Sequence, residues 1–208
     1  TRTTIAAMTF DCPHGNKVPV LACADGASIE DLCGILGSYA YDFAMRARLG
    51  GLTLNYFIVE ETPLPSNVAG RLKQIADSLS AAHSRFAPAW LLVREQLRTA
   101  PWYRNWAIAP HERLRLRCML DALVAVLYGL DRDDFAWIVK DCDHARARLG
   151  DKAFCRRLDP KGFWRVDKDQ DPELRHTVLS LAAFDDLAAA AAAAGDRDAG
   201  IQVFCDQH

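Results

Sequence analysis

The segment GILGSYAYDFAMRARLGGLTLNYFIVEETPLP, residues 34–65, decides the predicted fold. Its first half repeats apolar residues mostly every three to four positions, which predicts an amphipathic helix over about 28–49. Gly50 and Gly51 end this helix, because glycine adopts positive φ without steric cost. The β-branched and aromatic residues 53–59 then predict a strand that ends at a Pro-x-Pro exit.

Short elements are predicted on both sides of this segment. Residues 3–10 and 18–23 have the composition of strands, joined by a turn rich in Pro, Gly and Asn. Helices are predicted over residues 67–98, 111–128, 132–140 and 173–194, and a small final strand over 201–204. The order of elements predicts an α+β fold, with a small mixed strand/helix part over 1–65 followed by a mostly helical part over 66–208.

Composition sets broad limits on the function. The chain has 208 residues and a net charge of −2, so any basic face for nucleic acid must be local. Seven scattered cysteines without a CxxC pair favour a reduced, cytoplasmic setting. The first residue is Thr, which indicates a fragment or a processed chain. Without an N-terminal apolar region or a run of eighteen apolar residues, we expect no signal peptide and no membrane contact.

The pattern of residues 34–65 resembles a segment in the C-terminal part of large adenine-N6 DNA methyltransferases. These are single-chain restriction-modification enzymes of the type IIG kind and related phage-defence methyltransferases. The matching residues are Ser38, Tyr41, Asp42, Phe43, Arg46, Arg48, Gly50, Gly51, Leu54, Asn55, Tyr56, Phe57, Ile58, Pro63 and Pro65. Further stretches resemble the same family in the same order: RTTIAA at 2–7, ALVAVLYGL at 122–130, and KGFWRVDKD at 161–169 with PELRH at 172–176.

This resemblance implies a target-recognition part of an S-adenosylmethionine-dependent, adenine-specific DNA methyltransferase, with or without endonuclease activity. The chain has neither a glycine-rich cofactor turn nor an Asn/Asp-Pro-Pro-aromatic loop, so catalysis and S-adenosylmethionine binding are expected elsewhere in the parent protein. We therefore expect no cofactor in this fragment, and no enzyme activity from it alone. Its expected partners are double-stranded DNA and the methyltransferase domain. The alternative is a protein-interaction module that docks that domain or another defence subunit without reading bases.

Six side chains are candidate DNA contacts: Arg46, Arg48, Lys161, Trp164, Arg165 and Lys168. The three cations around Trp164 suit phosphates, and its indole suits stacking or wedging between bases. The alternative for this loop is that its aromatics dock on the helical core while its charges are merely solvated. The two arginines beside the glycine pair suit phosphates or base edges, or they complement a helix C-terminus.

Two Cys-x-His pairs, Cys12/His14 and Cys142/His144, offer soft metal ligands. Their spacing is not that of a zinc finger or ribbon, which favours a turn and a partly buried cysteine over a metal site. No metal is therefore predicted. A deep pocket lined by His14, Cys142 or His144 and holding a metal would instead indicate an independent enzyme.

Overall fold

The computed structural model describes residues 2–9, 20–23, 28–51, 54–66, 68, 72–92 and 106–207. These ranges are 63% helical and contain no β-strand. The predicted α+β class is therefore wrong, and the described part of the chain is all-α.

The chain divides into two compact units, residues 4–116 and residues 117–208 with 1–3. Helices of the first unit are α1 (Ile29–Leu36), α2 (Tyr39–Arg48), α3 (Tyr56–Glu61), α4 (Lys73–Ser80) and α5 (Ala87–Leu92). Helix α6 (Pro110–Leu127) begins in the first unit and ends in the second. The second unit continues with α7 (Arg132–Ile138), α8 (Arg146–Leu149), α9 (Lys152–Cys155), α10 (His176–Ala194) and α11 (Arg197–Gln207). Short 3-10 helices cover Ser84–Phe86, Phe163–Arg165 and Pro172–Leu174. The boundary predicted after residue 65 stays a prediction.

The single helix predicted over 28–49 is two helices, because Ser38 interrupts it. The Ser38 hydroxyl donates to the Ile35 carbonyl at 2.7 Å and accepts from the Tyr41 amide at 3.2 Å. It thus satisfies the last turn of α1 and the first turn of α2 together. Serine favours such caps over helix interiors, so capping chemistry overrides the apolar period here.

The strand predicted over 53–59 is wrong, since helix α3 occupies most of it. Ile58 of α3 is buried, and the Thr62 hydroxyl donates to its carbonyl at 2.6 Å. Tyr, Phe, Ile and Val favour strands only where neighbouring strands pair with them, and the described residues offer none. Residues 2–9 and 20–23 likewise form no ladder, and residues 201–204 lie inside α11.

The core of the first unit is built around α1, α2 and α4. Tyr39, Tyr41 and Met45 of α2 are fully buried, and α1 packs against α4. The buried Asp31 carboxylate accepts the Leu72 amide at 3.0 Å, just before α4 begins. This bond holds the entrance of α4 against α1.

The half-buried Asp77 carboxyl gives this unit a pH dependence. Burial, and then the negative charge of Glu30, raises the pKa of Asp77 to about 6. Because an unfolded Asp ionises near pH 4, the folded chain keeps a proton that the unfolded chain loses between about pH 4 and pH 6. Stability contributed by the neutral carboxyl is therefore lost as the pH rises through that window.

Asp77→Asn is expected to raise the free energy of unfolding at pH 7 by about 1 kcal/mol. The gain is this small because solvent screens the half-exposed carboxylate. At pH 3 the substitution is expected to have almost no effect, because Asp77 is then largely protonated in both states. Urea denaturation at both pH values measures the difference. An equal effect at the two pH values would contradict this account.

The second unit contains the helical hairpin α10–α11. Gly195 ends α10 with φ of 68°, a left-handed conformation that glycine adopts freely. The two helices cross closely at Gly200, where an added Cβ would lie 2.3 Å from the Ala191 Cα. Phe184 and Leu187 of α10 are buried, as are Ile201 and Phe204 of α11.

Helix α10 is long and apolar enough to cross a membrane by length and composition, with a mean hydropathy of 1.5. Within the unit, 22% of that window is buried. Core helices of soluble proteins meet the same criterion, so this helix alone does not identify a membrane span. The expectation of no membrane contact stays a prediction.

Candidate nucleic-acid interface

A buried arginine fixes the loops around residues 142–144 and 168–170. Arg175 is 0% exposed, and every hydrogen bond of its guanidinium goes to a backbone carbonyl. It donates to Cys142 at 2.7 Å, to His144 at 2.6 Å and to Gln170 at 2.7 Å, with a longer bond to Lys168 at 3.4 Å. Because one planar guanidinium has five N–H donors, it holds both loops in one arrangement.

The predicted contact Trp164 is buried against its own loop. Its indole is 4% exposed, and its Nε1 donates to the Asp159 carbonyl at 2.7 Å. Gly162 makes room for the ring, since a Cβ there would lie 2.7 Å from Trp164 Cδ1. Stacking on bases needs an accessible ring face, so this arrangement favours the alternative in which the aromatics dock on the core.

The three cations predicted around Trp164 are exposed on the same loop. The Arg165 guanidinium lies 4.9 Å from the Trp164 ring centroid. The Lys161 amide donates to the Asp159 carboxylate at 2.8 Å, and the Lys168 carbonyl accepts from Arg175. The backbone at both lysines is therefore held in place beneath exposed side chains.

A second cationic group, Arg148 and Arg157, is not among the DNA contacts predicted from the sequence. The guanidinium groups of Arg148 and Arg157 lie 4.1 Å and 5.4 Å from the centroid of one ring, Phe154. His144 meets the same ring edge-on at 5.0 Å. Phe154 is buried, so the two exposed arginines contact an aromatic ring that is held in place by its packing.

Residues 144–168, here called the basic segment, contain all these cations. The segment has eight Lys and Arg residues and three Asp residues, a net charge of +5 in a chain whose total is −2. All eight cations are exposed. Each carboxylate accepts a backbone amide: Asp151 from Ala153, Asp159 from Lys161, and Asp167 from His176. A running count of charge along the sequence would have found this segment.

Arg46 and Arg48, the other two predicted contacts, belong to the first unit. Arg46 lies 2.5 Å from the carboxylate of Asp42, which is buried and also accepts the Thr4 amide at 3.0 Å. The Arg46 side chain is only 9% exposed, so its charge is largely compensated inside the unit. Arg48 is exposed and donates to the Ala44 carbonyl at 3.1 Å, which suits the C-terminus of α2.

The described residues contain no group of three or more side chains arranged to hold a metal. Cys142 is buried and donates to the Lys140 carbonyl at 3.6 Å, and burial raises its pKa to about 11. His144 Nε2 lies 3.5 Å from an Asp141 carboxylate oxygen. Cys12 and His14 lie outside the described residues.

A buried polar cluster links α6 and α10. His176 Nε2 lies 2.8 Å from an Asp121 carboxylate oxygen, and the Ser180 hydroxyl donates to the His176 carbonyl at 2.8 Å. Burial raises the pKa of the neighbouring Cys118 to about 12, so its thiol stays protonated. Neither Ser180 nor Cys118 bonds to the imidazole, which leaves out the nucleophile–base contact of a catalytic pair. The cluster therefore has the arrangement of a structural link.

Comparisons of this chain with models of protein families, with curated proteins and with solved structures find no match. Its function is therefore inferred from its own residues and from the motif resemblance. Among those residues, the exposed basic segment is the feature with the clearest chemistry.

Proposed function

We propose that the chain is the DNA-binding C-terminal part of an S-adenosylmethionine-dependent, adenine-specific DNA methyltransferase of a restriction-modification or phage-defence system. The basic segment is its DNA-contacting surface. The single observation that carries the proposal is that eight cations are exposed while the three intervening carboxylates accept backbone amides. Such a surface releases counterions when it meets a phosphate backbone.

In this proposal the chain positions the DNA duplex and does not itself transfer the methyl group. Lys161, Arg165 and Lys168 bind phosphates and fix the register of the duplex. The catalytic domain of the parent protein supplies S-adenosylmethionine and acts on an adenine turned out of the stack. Because Arg46 is held by Asp42 and Trp164 is buried, neither of them is needed for this role.

The test is fluorescence anisotropy of a labelled duplex with the full chain at several salt concentrations. We expect salt-sensitive binding, with each phosphate contact contributing about −0.9 to the slope of log K against log salt. Replacing Lys161, Arg165 and Lys168 by Gln is expected to reduce the magnitude of that slope by about 3 and to weaken binding.

A matched control replaces three exposed cations outside the basic segment, Lys73, Arg85 and Arg132, by Gln. It makes the same change in net charge and is expected to keep most of the affinity and slope. Absence of salt-sensitive binding by the native chain would refute the proposal. If the two triple variants lost affinity equally, binding would depend on the net charge of the chain and not on the basic segment.

A second candidate is a docking module for the methyltransferase domain. It is favoured by an exposed aromatic pair on α3, where Tyr56 is 48% and Phe57 is 55% exposed. Replacing both by Ser should then abolish co-purification with the catalytic domain while leaving the fold intact by circular dichroism. Unchanged co-purification would remove this candidate.

A further inference from the structure

We infer that Arg148 and Arg157, stacked on Phe154, form a preorganised site for the phosphodiester backbone of duplex DNA, and that this site binds without regard to base sequence. The inference rests on the proposed function and extends it to residues and to a mode of binding. Neither arginine is among the six contacts predicted from the sequence.

The stacking leaves both guanidinium groups available. The Cζ atoms of Arg148 and Arg157 lie 4.1 Å and 5.4 Å from the centroid of the Phe154 ring, within the range of a cation–π contact. A guanidinium stacked on a ring keeps the N–H groups at its edge for acceptors, and its fork matches the two oxygens of a phosphate. Neither arginine pairs with a carboxylate in the ranges that the structure describes.

The backbone beneath the two arginines is also fixed. The Arg148 amide donates to the Ala145 carbonyl at 2.9 Å, and the Arg157 amide to the Phe154 carbonyl at 3.0 Å. The Cys155 thiol donates to the Leu149 carbonyl at 3.2 Å, which ties α8 to α9. Ordering long side chains before binding lowers the entropy cost of the contact.

The composition of the basic segment favours phosphates over bases. It contains no Asn, Gln, Ser or Thr, so the amide side chains that pair with adenine are missing. Trp164 is buried and offers no wedge between base steps. Arginine can read guanine, but two arginines stacked on one ring suit a repeating backbone better than a single base. Duplexes of unrelated sequence should therefore bind alike.

The experiment uses the full chain and two labelled duplexes of equal length and base composition but unrelated sequence. The variants are Arg148→Gln, Arg157→Gln and Phe154→Leu, with Arg132→Gln as a matched control. Arg132 is also exposed, and it donates to Asp185 at 2.9 Å. Circular dichroism and thermal unfolding check the fold of each variant.

We expect the native chain to bind both duplexes with affinities within about twofold of each other. Arg148→Gln and Arg157→Gln should each weaken binding to both duplexes by roughly three- to tenfold and each reduce the magnitude of the salt slope by about 0.9. Phe154→Leu keeps both charges and should weaken binding by roughly two- to fivefold with the slope unchanged. If Phe154→Leu unfolds, the two arginine variants decide.

Three outcomes would overturn the inference while leaving the proposed function in place. One is a preference of roughly tenfold or more for one duplex. Another is an Arg148→Gln or Arg157→Gln variant that binds like Arg132→Gln. The third is binding to anionic phospholipid vesicles as tight as binding to DNA and equally reduced by these variants, which would assign the arginines to a lipid surface. No binding to either duplex would overturn both proposals.

Discussion

Arg175→Met is expected to lower the free energy of unfolding of the unit formed by residues 117–208 by about 4 kcal/mol. Methionine retains the length of the side chain but removes every donor to the carbonyls of Cys142, His144, Lys168 and Gln170. Each buried carbonyl left without a donor costs about 1–3 kcal/mol, and water reaching part of the site recovers some of that cost. Urea denaturation of the full chain, followed by circular dichroism, measures the loss.

Two further variants show whether geometry or charge is responsible. Arg175→Lys keeps the charge but cannot direct donors to both loops, so most of the loss should remain. Arg132→Met removes an exposed arginine whose partner is Asp185, and stability should change little. If Arg175→Lys restored native stability, the carbonyl bonds would not be the cause.

Gly200→Ala is expected to destabilise the α10–α11 hairpin by about 3 kcal/mol. The new Cβ would lie 2.3 Å from the Ala191 Cα and 2.7 Å from its backbone nitrogen, and neither atom can swing aside like a side chain. Alanine is favoured over glycine in a helix by about 1 kcal/mol, so intrinsic propensity alone predicts the opposite sign. The clash should prevail because the two helices must separate along their length. Thermal unfolding gives the result.

A control for this prediction is Gly51→Ala, where an added Cβ meets nothing within 4 Å. We expect almost no loss there. A Gly200→Ala variant as stable as the native chain would show that the helices separate at little cost. A loss of similar size at Gly51 would show that the close approach of the two helices is not the cause.

The helices predicted after residue 110 were predictable because their signals are local, whereas the one predicted over 67–98 is divided in its described part into α4, a 3-10 helix and α5. The helix predicted over 111–128 is confirmed as α6, and that over 132–140 as α7, which begins with a capping box between Asp131 and Asp134. The helix predicted over 173–194 is confirmed as α10, which ends at Gly195 as expected. Periodicity and caps lie within a few residues of one another, so one sequence is enough to find them.

The strands were not predictable from the same sequence. The run Tyr56 to Val59 has strong strand propensity, but a strand also requires partners, which local sequence cannot show. The break at Ser38 was missed because the apolar period continues across it. A serine within an apolar repeat fits either a helix interior or a cap, and the tertiary structure chooses between them.

The exposed charges of the candidate site were predictable from the sequence, but the burial of its aromatic residue was not. Exposure of Lys161, Arg165 and Lys168 follows from their chemistry, whereas the burial of Trp164 depends on Gly162 and on the Asp159 carbonyl. The role of Arg175 was not predicted, because carbonyls that converge from two loops leave no local pattern. The meeting of Arg148 and Phe154 across the α8–α9 turn has no fixed period either.

The position of Trp164 makes its fluorescence sensitive to the conformation of the basic segment. Its indole is shielded from water, bonded to Asp159 and covered by a cation from Arg165 at 4.9 Å. An Arg165 that swings away to meet a phosphate changes the electric field on the ring without moving the ring itself. In a chain whose other four of the five tryptophans are replaced, emission from Trp164 would therefore distinguish a loop that merely loses its covering cation from one that opens and admits solvent.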